Sequence, residues 1–161
     1  MTNRGVVLSI HLLRVHRQPS VTVEEARALV GHGLEGDVHG KHSSKSSRQV
    51  LLVDRRSLEA FNLPPGALKE QLTIDFPGLD DLPRGTRLRI GEATLELTMS
   101  CEPCEVIGKY TGVADPYALR HSLRGRRGML SKVVAVTGQG LIRRGDAVVE
   151  TAEDLRLPVE S

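Results

Sequence analysis

The chain has 161 residues, of which 39% are hydrophobic and 26% charged, and its formal net charge is +2 at pH 7. This length and composition predict a soluble, globular, single-domain protein that is large enough to bury a core. The small net charge does not indicate nucleic-acid binding. Aromatic residues make up only 2% of the chain, so a barrel that binds single strands by base stacking is not expected.

The beginning of the chain shows no signal peptide, because His11 and Arg14 interrupt its short apolar run. No apolar stretch approaches the roughly 20 residues that a membrane-spanning helix needs. We therefore expect a cytoplasmic protein with neither a membrane nor a nucleic-acid partner. In a reducing compartment, two closely spaced cysteines are more often catalytic or metal-binding than structural.

Strand patterns dominate the chain from its beginning to its end. Runs rich in Val, Leu and Ile alternate with Gly and Pro turns, and Gly91-Glu92 separates two such runs in a clear hairpin pattern. The predicted strands lie at residues 5–13, 48–54, 86–90, 93–98, 131–136 and 146–149.

Helical patterns are short. Residues 55–61 predict two turns that end before Pro64, and residues 116–123 predict another helix with Asp115 as its cap. Many short strands without long helices indicate a mainly β fold, a closed or partly closed barrel or a sandwich. We assign residues 1–150 to one such domain and residues 151–161 to a C-terminal tail.

Gly31, Gly33 and Gly36 match the G-x-G-x-x-G pattern of dinucleotide-binding proteins, with Asp54 at a suggestive distance. That pattern requires a strand before the glycines and a helix opening on them. The residues that follow show no apolar stripe at helical spacing, so we reject this interpretation. What remains is a polar loop that carries Glu35, Asp37, His39, Lys41 and His42.

The only two cysteines, Cys101 and Cys104, form a C-x-x-C pair directly after a predicted strand. Thiolate is both the nucleophilic form of cysteine and a ligand for soft metals. Pro103 is suited to the first position of a helix, where free amides would favour the Cys104 thiolate, whereas the adjacent Glu102 and Glu105 oppose it. We predict a reactive thiol at Cys104, and Cys101 is either a resolving thiol or a space-filling residue.

Other uses of the cysteines fit the sequence less well. A structural zinc site needs four ligands, and no second close pair joins the cysteines, although His39, His42 and His121 are candidates. A thioredoxin-like role needs a βαβ context, which is absent. The alternative without a functional role is that Cys104 is a small, buried, hydrophobic residue.

Basic residues supply candidates for anion binding. Arg48 begins a buried-looking strand, so it either pairs with Asp37 or Glu35 or faces an anionic phosphate. Residues 124–128 form a basic, glycine-containing loop that is either a solvated surface or a site where Arg126 and Arg127 hold a phosphate through bidentate hydrogen bonds.

Several segments, taken in chain order, together resemble MOSC domains, the family named for the C-terminal domain of molybdenum-cofactor sulfurase. The resemblance extends from about residue 5 to residue 149. Gln71 departs from it, since Asn is usual at that position. The segments that carry it are Gly33-Leu34-Glu35-Gly36-Asp37-Val38-His39, Arg48-Gln49-Val50, residues 66–73, residues 87–98, Pro103-Cys104 and residues 142–146.

The resemblance implies a stand-alone, closed β-barrel that acts in molybdenum-cofactor or sulfur handling. In one version Cys104 ligates the molybdenum cofactor, and the protein reduces a small N-hydroxylated substrate with an electron-transfer partner. In the other version Cys104 accepts sulfane sulfur as a persulfide from a pyridoxal-phosphate-dependent cysteine desulfurase. An alternative from a different functional class is a non-enzymatic binding barrel, in which the cysteines are structural and the basic loop binds an anionic partner.

The predicted site residues follow from the resemblance together with the residue patterns. We expect Cys104 to be the metal ligand and a catalytic residue, accompanied by Cys101, His39 and Asp37. The residues expected to bind the cofactor are Arg48, Glu70, Arg126 and Arg127.

Overall fold

The computed structural model describes residues 4–38, 48–101 and 127–151. Within these ranges strands predominate, and no helix is long and apolar enough to cross a membrane. The strands are β1 Arg4–Leu12, β2 Val21–Val23, β3 Glu25–Leu29, β4 Gly33–Leu34, β5 Val50–Asp54, β6 Leu72–Asp75, β7 Arg87–Ile90, β8 Ala93–Ser100, β9 Met129–Val136, β10 Leu141–Arg143 and β11 Ala147–Thr151. A short helix, α1, spans Arg55–Glu59, and a 3-10 turn spans Leu79–Asp81.

Seven strands form a closed barrel in the order β11-β7-β8-β9-β5-β6-β1. The barrel closes where the first half of β1 pairs antiparallel with β11, with Arg4 opposite Val149. Neighbouring strands run antiparallel except β5 and β6, which are parallel. The second half of β1 also pairs with β2, and a separate small sheet has the order β10-β3-β4. The predicted closed barrel is therefore confirmed.

Aliphatic side chains fill the barrel. Fully burying one such side chain contributes roughly 1.5–3 kcal/mol, and the interior cluster includes Ile10, Leu52, Leu72, Phe76, Leu88 and Leu95. A second cluster packs on the outer face of β5 and contains Leu51, Val53, Leu58, Leu68, Cys101 and Leu130. Because β5 is buried on both faces, other parts of the chain must cover the barrel exterior there.

The predicted strands agree with β1, β5, β7, β8, β9 and β11. The helix predicted over residues 55–61 is present but ends at Glu59. The strands that sequence patterns did not predict, β2, β3, β4, β6 and β10, have two to five residues each, too few for a clear alternation. The helix predicted at residues 116–123 and residues 152–161 of the tail lie outside the described residues.

The glycine motif has a structural role. Gly33 belongs to β4 and has a φ of 120°, and a β-carbon there would lie 2.9 Å from the carbonyl oxygen of Gln49. Asp54 caps α1 by accepting a hydrogen bond from Arg56 N at 3.1 Å, and it also accepts one from Phe76 N at 2.8 Å. Neither contact fits a dinucleotide site, in agreement with the rejection of that motif.

Gly128 lies just before β9 and approaches the backbone of β5 closely. Its φ is 105°, and a β-carbon there would overlap the carbonyl oxygen of Leu52. The Gly128 carbonyl accepts a hydrogen bond from Cys101 N at 2.9 Å. The Asp80 carboxylate accepts another from the Gly128 amide. A backbone hydrogen bond thus joins Cys101, at the end of β8, to Gly128, just before β9.

We predict that Gly128→Ala destabilises the protein by about 3 kcal/mol or more, because the new methyl group must displace the backbone of β5. Gly85→Ala is the matched control: Gly85 also has a positive φ, 94°, but nothing lies within 4 Å of the added carbon. Backbone strain alone should lower the free energy of unfolding of Gly85→Ala by about 1 kcal/mol. Denaturant unfolding measures both values, and equal losses would mean that close approach to β5 is unimportant.

We predict that Asp80 makes stability depend on pH. Burial raises the pKa of Asp80 to about 6, and the nearby Asp54 and Asp81 carboxylates add to the effect. Because the pKa is higher in the folded than in the unfolded protein, ionisation destabilises the fold, and stability falls as the pH rises from about 4 to about 6. Asp80→Asn should reduce this pH-dependent loss of unfolding free energy by about 1–2 kcal/mol.

Denaturant midpoints between pH 4 and pH 8 measure the effect. Asp81→Asn removes an exposed neighbouring carboxylate and should leave most of the slope in place. A wild-type slope that persists unchanged in Asp80→Asn would contradict the prediction.

Candidate functional site

A pocket of about 160 Å³ lies on the outer face of the barrel, where β5, the end of β8, the start of β9 and the loop before β6 meet. We call it the cysteine pocket. It brings together three of the predicted site residues, Arg48, Cys101 and Arg127. The described residues that line the pocket are Arg48, Leu51, Lys69, Gln71, Cys101, Arg127 and Leu130.

Cys101 directly follows β8 and is 6% exposed. Its sulfur receives a hydrogen bond from Nη1 of Arg127, and positive charge beside a sulfur favours the thiolate. The residue also packs in the cluster on the outer face of β5 with Leu68 and Leu130. Cys101 therefore fills space at the end of β8, and its sulfur borders a charged pocket. Its role as a resolving thiol stays a prediction.

Arg127 joins two walls of the pocket. While Nη1 contacts the Cys101 sulfur, Nη2 donates a hydrogen bond to the Leu68 carbonyl oxygen at 2.9 Å. The planar guanidinium presents these donors in fixed directions, so the positions of the sulfur and of the loop are set relative to each other. Arg127 thus contributes positive charge to the pocket and also positions its walls.

Two further cations line the cysteine pocket. Arg48 is exposed and lies two residues before β5, and Lys69 is half-buried in the loop before β6. The Lys69 backbone has a φ of 65°, in the left-handed region, and its amide donates to Gly66 O at 3.0 Å. None of the described residues that line the pocket is acidic. With Arg127, the pocket therefore presents three positive groups and suits an anion.

Glu70 is buried at 1% exposure inside the loop that carries Lys69. Its carboxylate accepts hydrogen bonds from Gly66 N at 2.9 Å, from Leu68 N at 3.1 Å and from Thr73 Oγ1 at 2.6 Å. Burial raises the pKa of Glu70, and these hydrogen bonds partly oppose that rise. Its contacts are with the protein, so Glu70 shapes the loop that presents Lys69.

Asp37 lies behind the pocket wall, at 2% exposure. It accepts a hydrogen bond from Leu13 N at 2.8 Å, and Nε2 of Gln71 lies 3.4 Å from its Oδ2. Oε1 of Gln71 accepts from Leu51 N at 2.7 Å. Gln71 therefore connects the glycine-rich loop to the pocket that it lines, and Asp37 is one side chain removed from the pocket.

Sequence reasoning did not name Lys69 or Gln71 as site residues. The only signal for either residue was its position within the family-like segment 66–73. Cys104, His39 and Arg126 lie outside the described residues, so their roles remain predictions. Among the residues that are described, no three His, Cys, Asp or Glu side chains are placed to hold a metal ion.

A larger pocket, of about 380 Å³, contains none of the predicted site residues that lie in the described ranges. It is lined in part by Asp54, Arg56, Ser57 and Asp80, beside α1. Its carboxylates do not match an anionic ligand. The cysteine pocket is smaller but carries the chemically distinctive groups, and we therefore take it as the candidate site.

Comparison with solved structures supports the fold. The YuaD protein from Bacillus subtilis superposes with a TM-score of 0.77 at 19% identity, covering 95% of this chain and 100% of that one. YiiM from Escherichia coli gives 0.68 at 20% identity, covering 94% and 71%. YiiM from Geobacillus stearothermophilus gives 0.67 at 17% identity, covering 94% and 77%. At these identities the similarity shows the fold alone.

Comparison by sequence is more specific. No curated protein matches the chain, but the model of the MOSC domain matches residues 36–149, which is more than half of the chain. That range contains every strand that borders the cysteine pocket. The chain therefore belongs to the MOSC domain family, a family associated with the molybdenum cofactor.

Proposed function

We propose that this protein holds the molybdenum cofactor at the cysteine pocket, with Cys104 as the ligand of the metal and the cationic side chains against the cofactor phosphate. The observation that carries the proposal is the convergence of Arg48, Lys69 and Arg127 around the Cys101 sulfur in a MOSC domain. The proposal places Cys104 next to this pocket because it follows Cys101 by three residues.

The residues present fit the chemistry of this cofactor. A phosphate group carries up to two negative charges, and guanidinium and ammonium groups are its usual partners in proteins. Molybdenum bound by a dithiolene accepts a further soft ligand, for which a cysteine thiolate is suited. The pocket supplies the cationic groups at Arg48 and Lys69, and the proposed ligand, Cys104, follows the pocket residue Cys101 by three positions in the sequence.

Some residues of the chain bind the cofactor in this proposal, and others position the groups that bind it. Arg48 and Lys69 bind the phosphate, whereas Arg127 holds the Cys101 end of β8 against the Leu68 carbonyl. Glu70 keeps the loop in the shape that presents Lys69. When bound, the cofactor supplies the redox chemistry, for which we propose a small N-hydroxylated substrate and an electron-transfer partner.

Protein expressed in a host that makes the cofactor should contain molybdenum close to one atom per chain. Cys104→Ala should lower this content about tenfold or more, because a coordinating thiolate is lost, and Arg48→Gln should lower it about tenfold, because a charge-assisted phosphate contact is lost. Elemental analysis of the purified proteins measures all of these values.

Arg143→Gln is the matched control, since Arg143 is an exposed arginine that pairs with Glu25 and lines no part of the pocket. Its molybdenum content should equal that of the wild type. Metal-free wild-type protein, or equal metal content in Cys104→Ala, would contradict cofactor ligation.

A second candidate function is the acceptance of sulfane sulfur at Cys104, which follows by three positions the Cys101 sulfur that Arg127 contacts. In this step a cysteine thiolate attacks the outer sulfur of a desulfurase persulfide. The new sulfur–sulfur bond forms as the desulfurase cysteine leaves as a thiolate, so one sulfur atom moves without net oxidation.

Incubation with a cysteine desulfurase and free cysteine, followed by intact-mass measurement, tests this second function. We expect one added sulfur atom per chain, retained in Cys101→Ala and lost in Cys104→Ala. An unchanged mass in the wild type would exclude sulfur acceptance. If a double Cys101→Ala, Cys104→Ala variant kept its thermal stability and its binding of an anionic partner, a non-enzymatic binding barrel would be favoured over both functions.

A further inference from the structure

A second pocket, of about 290 Å³, lies on the other side of the loop that carries Lys69. We call it the His11 pocket. Its walls are of two kinds, apolar ones that include Leu63 and Pro64, and polar ones formed by His11, Ser20, Thr22 and Lys69. Its volume is near the lower limit for small-molecule sites. Of the predicted site residues that the structure describes, Asp37, Arg48, Glu70, Cys101 and Arg127, none is in this lining.

The polar lining has a definite charge character. Lys69 supplies a positive charge, Ser20 and Thr22 supply hydroxyl groups, and no described residue of the lining is acidic. Hydroxyl and ammonium groups are donors that suit a carboxylate. The apolar walls suit a hydrocarbon body attached to that carboxylate. The lining as a whole therefore matches a small organic monoanion.

His11 orients the Thr22 hydroxyl. Nδ1 of the buried imidazole lies 3.2 Å from Thr22 Oγ1, and Nε2 lies 2.8 Å from Ser9 Oγ. The Thr73 hydroxyl donates its proton to Glu70. Its oxygen lies 3.4 Å from Nε2 of His11, so in any hydrogen bond with the imidazole it can only be the acceptor. Burial lowers the pKa of His11, which favours the neutral form of the ring.

The neutral ring leaves two tautomers, and one of them suits an anion in the pocket. If Ser9 donates to Nε2, the proton of His11 resides on Nδ1 and is donated to Thr22 Oγ1. The Thr22 hydroxyl proton then points away from the imidazole and becomes available to a ligand oxygen. The hydrogen bonds around His11 thus provide a way to present Thr22 as a donor.

We propose that the His11 pocket is a second ligand-binding site, which takes a small organic carboxylate with an apolar body. Lys69 and the hydroxyl groups of Ser20 and Thr22 bind the carboxylate, and Leu63 and Pro64 contact the hydrocarbon part. The site uses no residue of the cysteine pocket except Lys69.

Lys69 lines both pockets, and this shared residue couples them. A carboxylate in the His11 pocket competes for the ammonium group with an anion in the cysteine pocket. Each ligand therefore weakens the binding of the other, as linkage requires. Only this coupling rests on the proposed function of the cysteine pocket, and the second site itself does not.

Titration with benzoate, followed by two-dimensional amide NMR, tests the site. We expect saturable shifts at His11, Thr22 and Lys69, with dissociation constants on the order of 1 mM. Lys69→Gln and Thr22→Val should each weaken binding about tenfold, because each removes one hydrogen-bonding group from the carboxylate. Thr22→Val keeps the shape of the side chain and the β2 strand.

Lys132→Gln is the control for loss of one positive charge, since Lys132 lines neither pocket, and it should bind benzoate like the wild type. Absence of saturable shifts, or equal affinity in Lys69→Gln, Thr22→Val and the control, would overturn the second site.

A calorimetric titration with inorganic phosphate, with and without saturating benzoate, tests the coupling. We expect benzoate to weaken phosphate binding about threefold to tenfold in the wild type and to have no effect in Lys69→Gln. Benzoate binding without any change in phosphate affinity would overturn the coupling. Failure of the protein to bind molybdenum would leave the benzoate result unaffected, so the two proposals fail separately.

Discussion

The contacts of one guanidinium group hold the candidate site together. Arg127 lies just before β9 and reaches both the sulfur at the end of β8 and the Leu68 carbonyl in the loop before β6. This geometry depends in turn on Gly128, where the chain approaches the carbonyl of Leu52 too closely for any side chain. The arrangement fixes a sulfur and a cationic loop next to each other on an otherwise rigid barrel.

The site lies outside the barrel because the interior is filled. Phe76 and the aliphatic side chains inside the barrel are buried, and protein cores packed in this way contain few voids larger than a water molecule. The outer face of β5 instead carries Leu51, which lines the pocket, and the loop 66–71 covers it. A buried carboxylate at Glu70 gives that loop its shape, and the Gln71–Asp37 contact ties it to the glycine-rich segment. The chemistry therefore depends on loops held by buried polar groups.

The sequence predicted the parts of this structure that depend on local patterns. Alternating residues in β7 and β8 predicted their hairpin, and the scarcity of cysteine drew attention to Cys101. Closure of the barrel joins Arg4 to Val149, a pairing that no local pattern reveals. The contact between Asp37 and Gln71 spans 34 positions, and Lys69 resembles a surface lysine until the fold places it between two pockets. These features depend on contacts between residues that are far apart in the sequence, so spacing and composition do not predict them.

A crystal structure of the protein grown in the presence of pyrophosphate would test most directly whether the cysteine pocket is an anion site. Electron density for the anion should lie against Arg48 and Lys69, on the same side of the barrel as the Cys101 sulfur. Density for the anion only at other basic surfaces, with the pocket filled by water, would contradict the central role given to these residues.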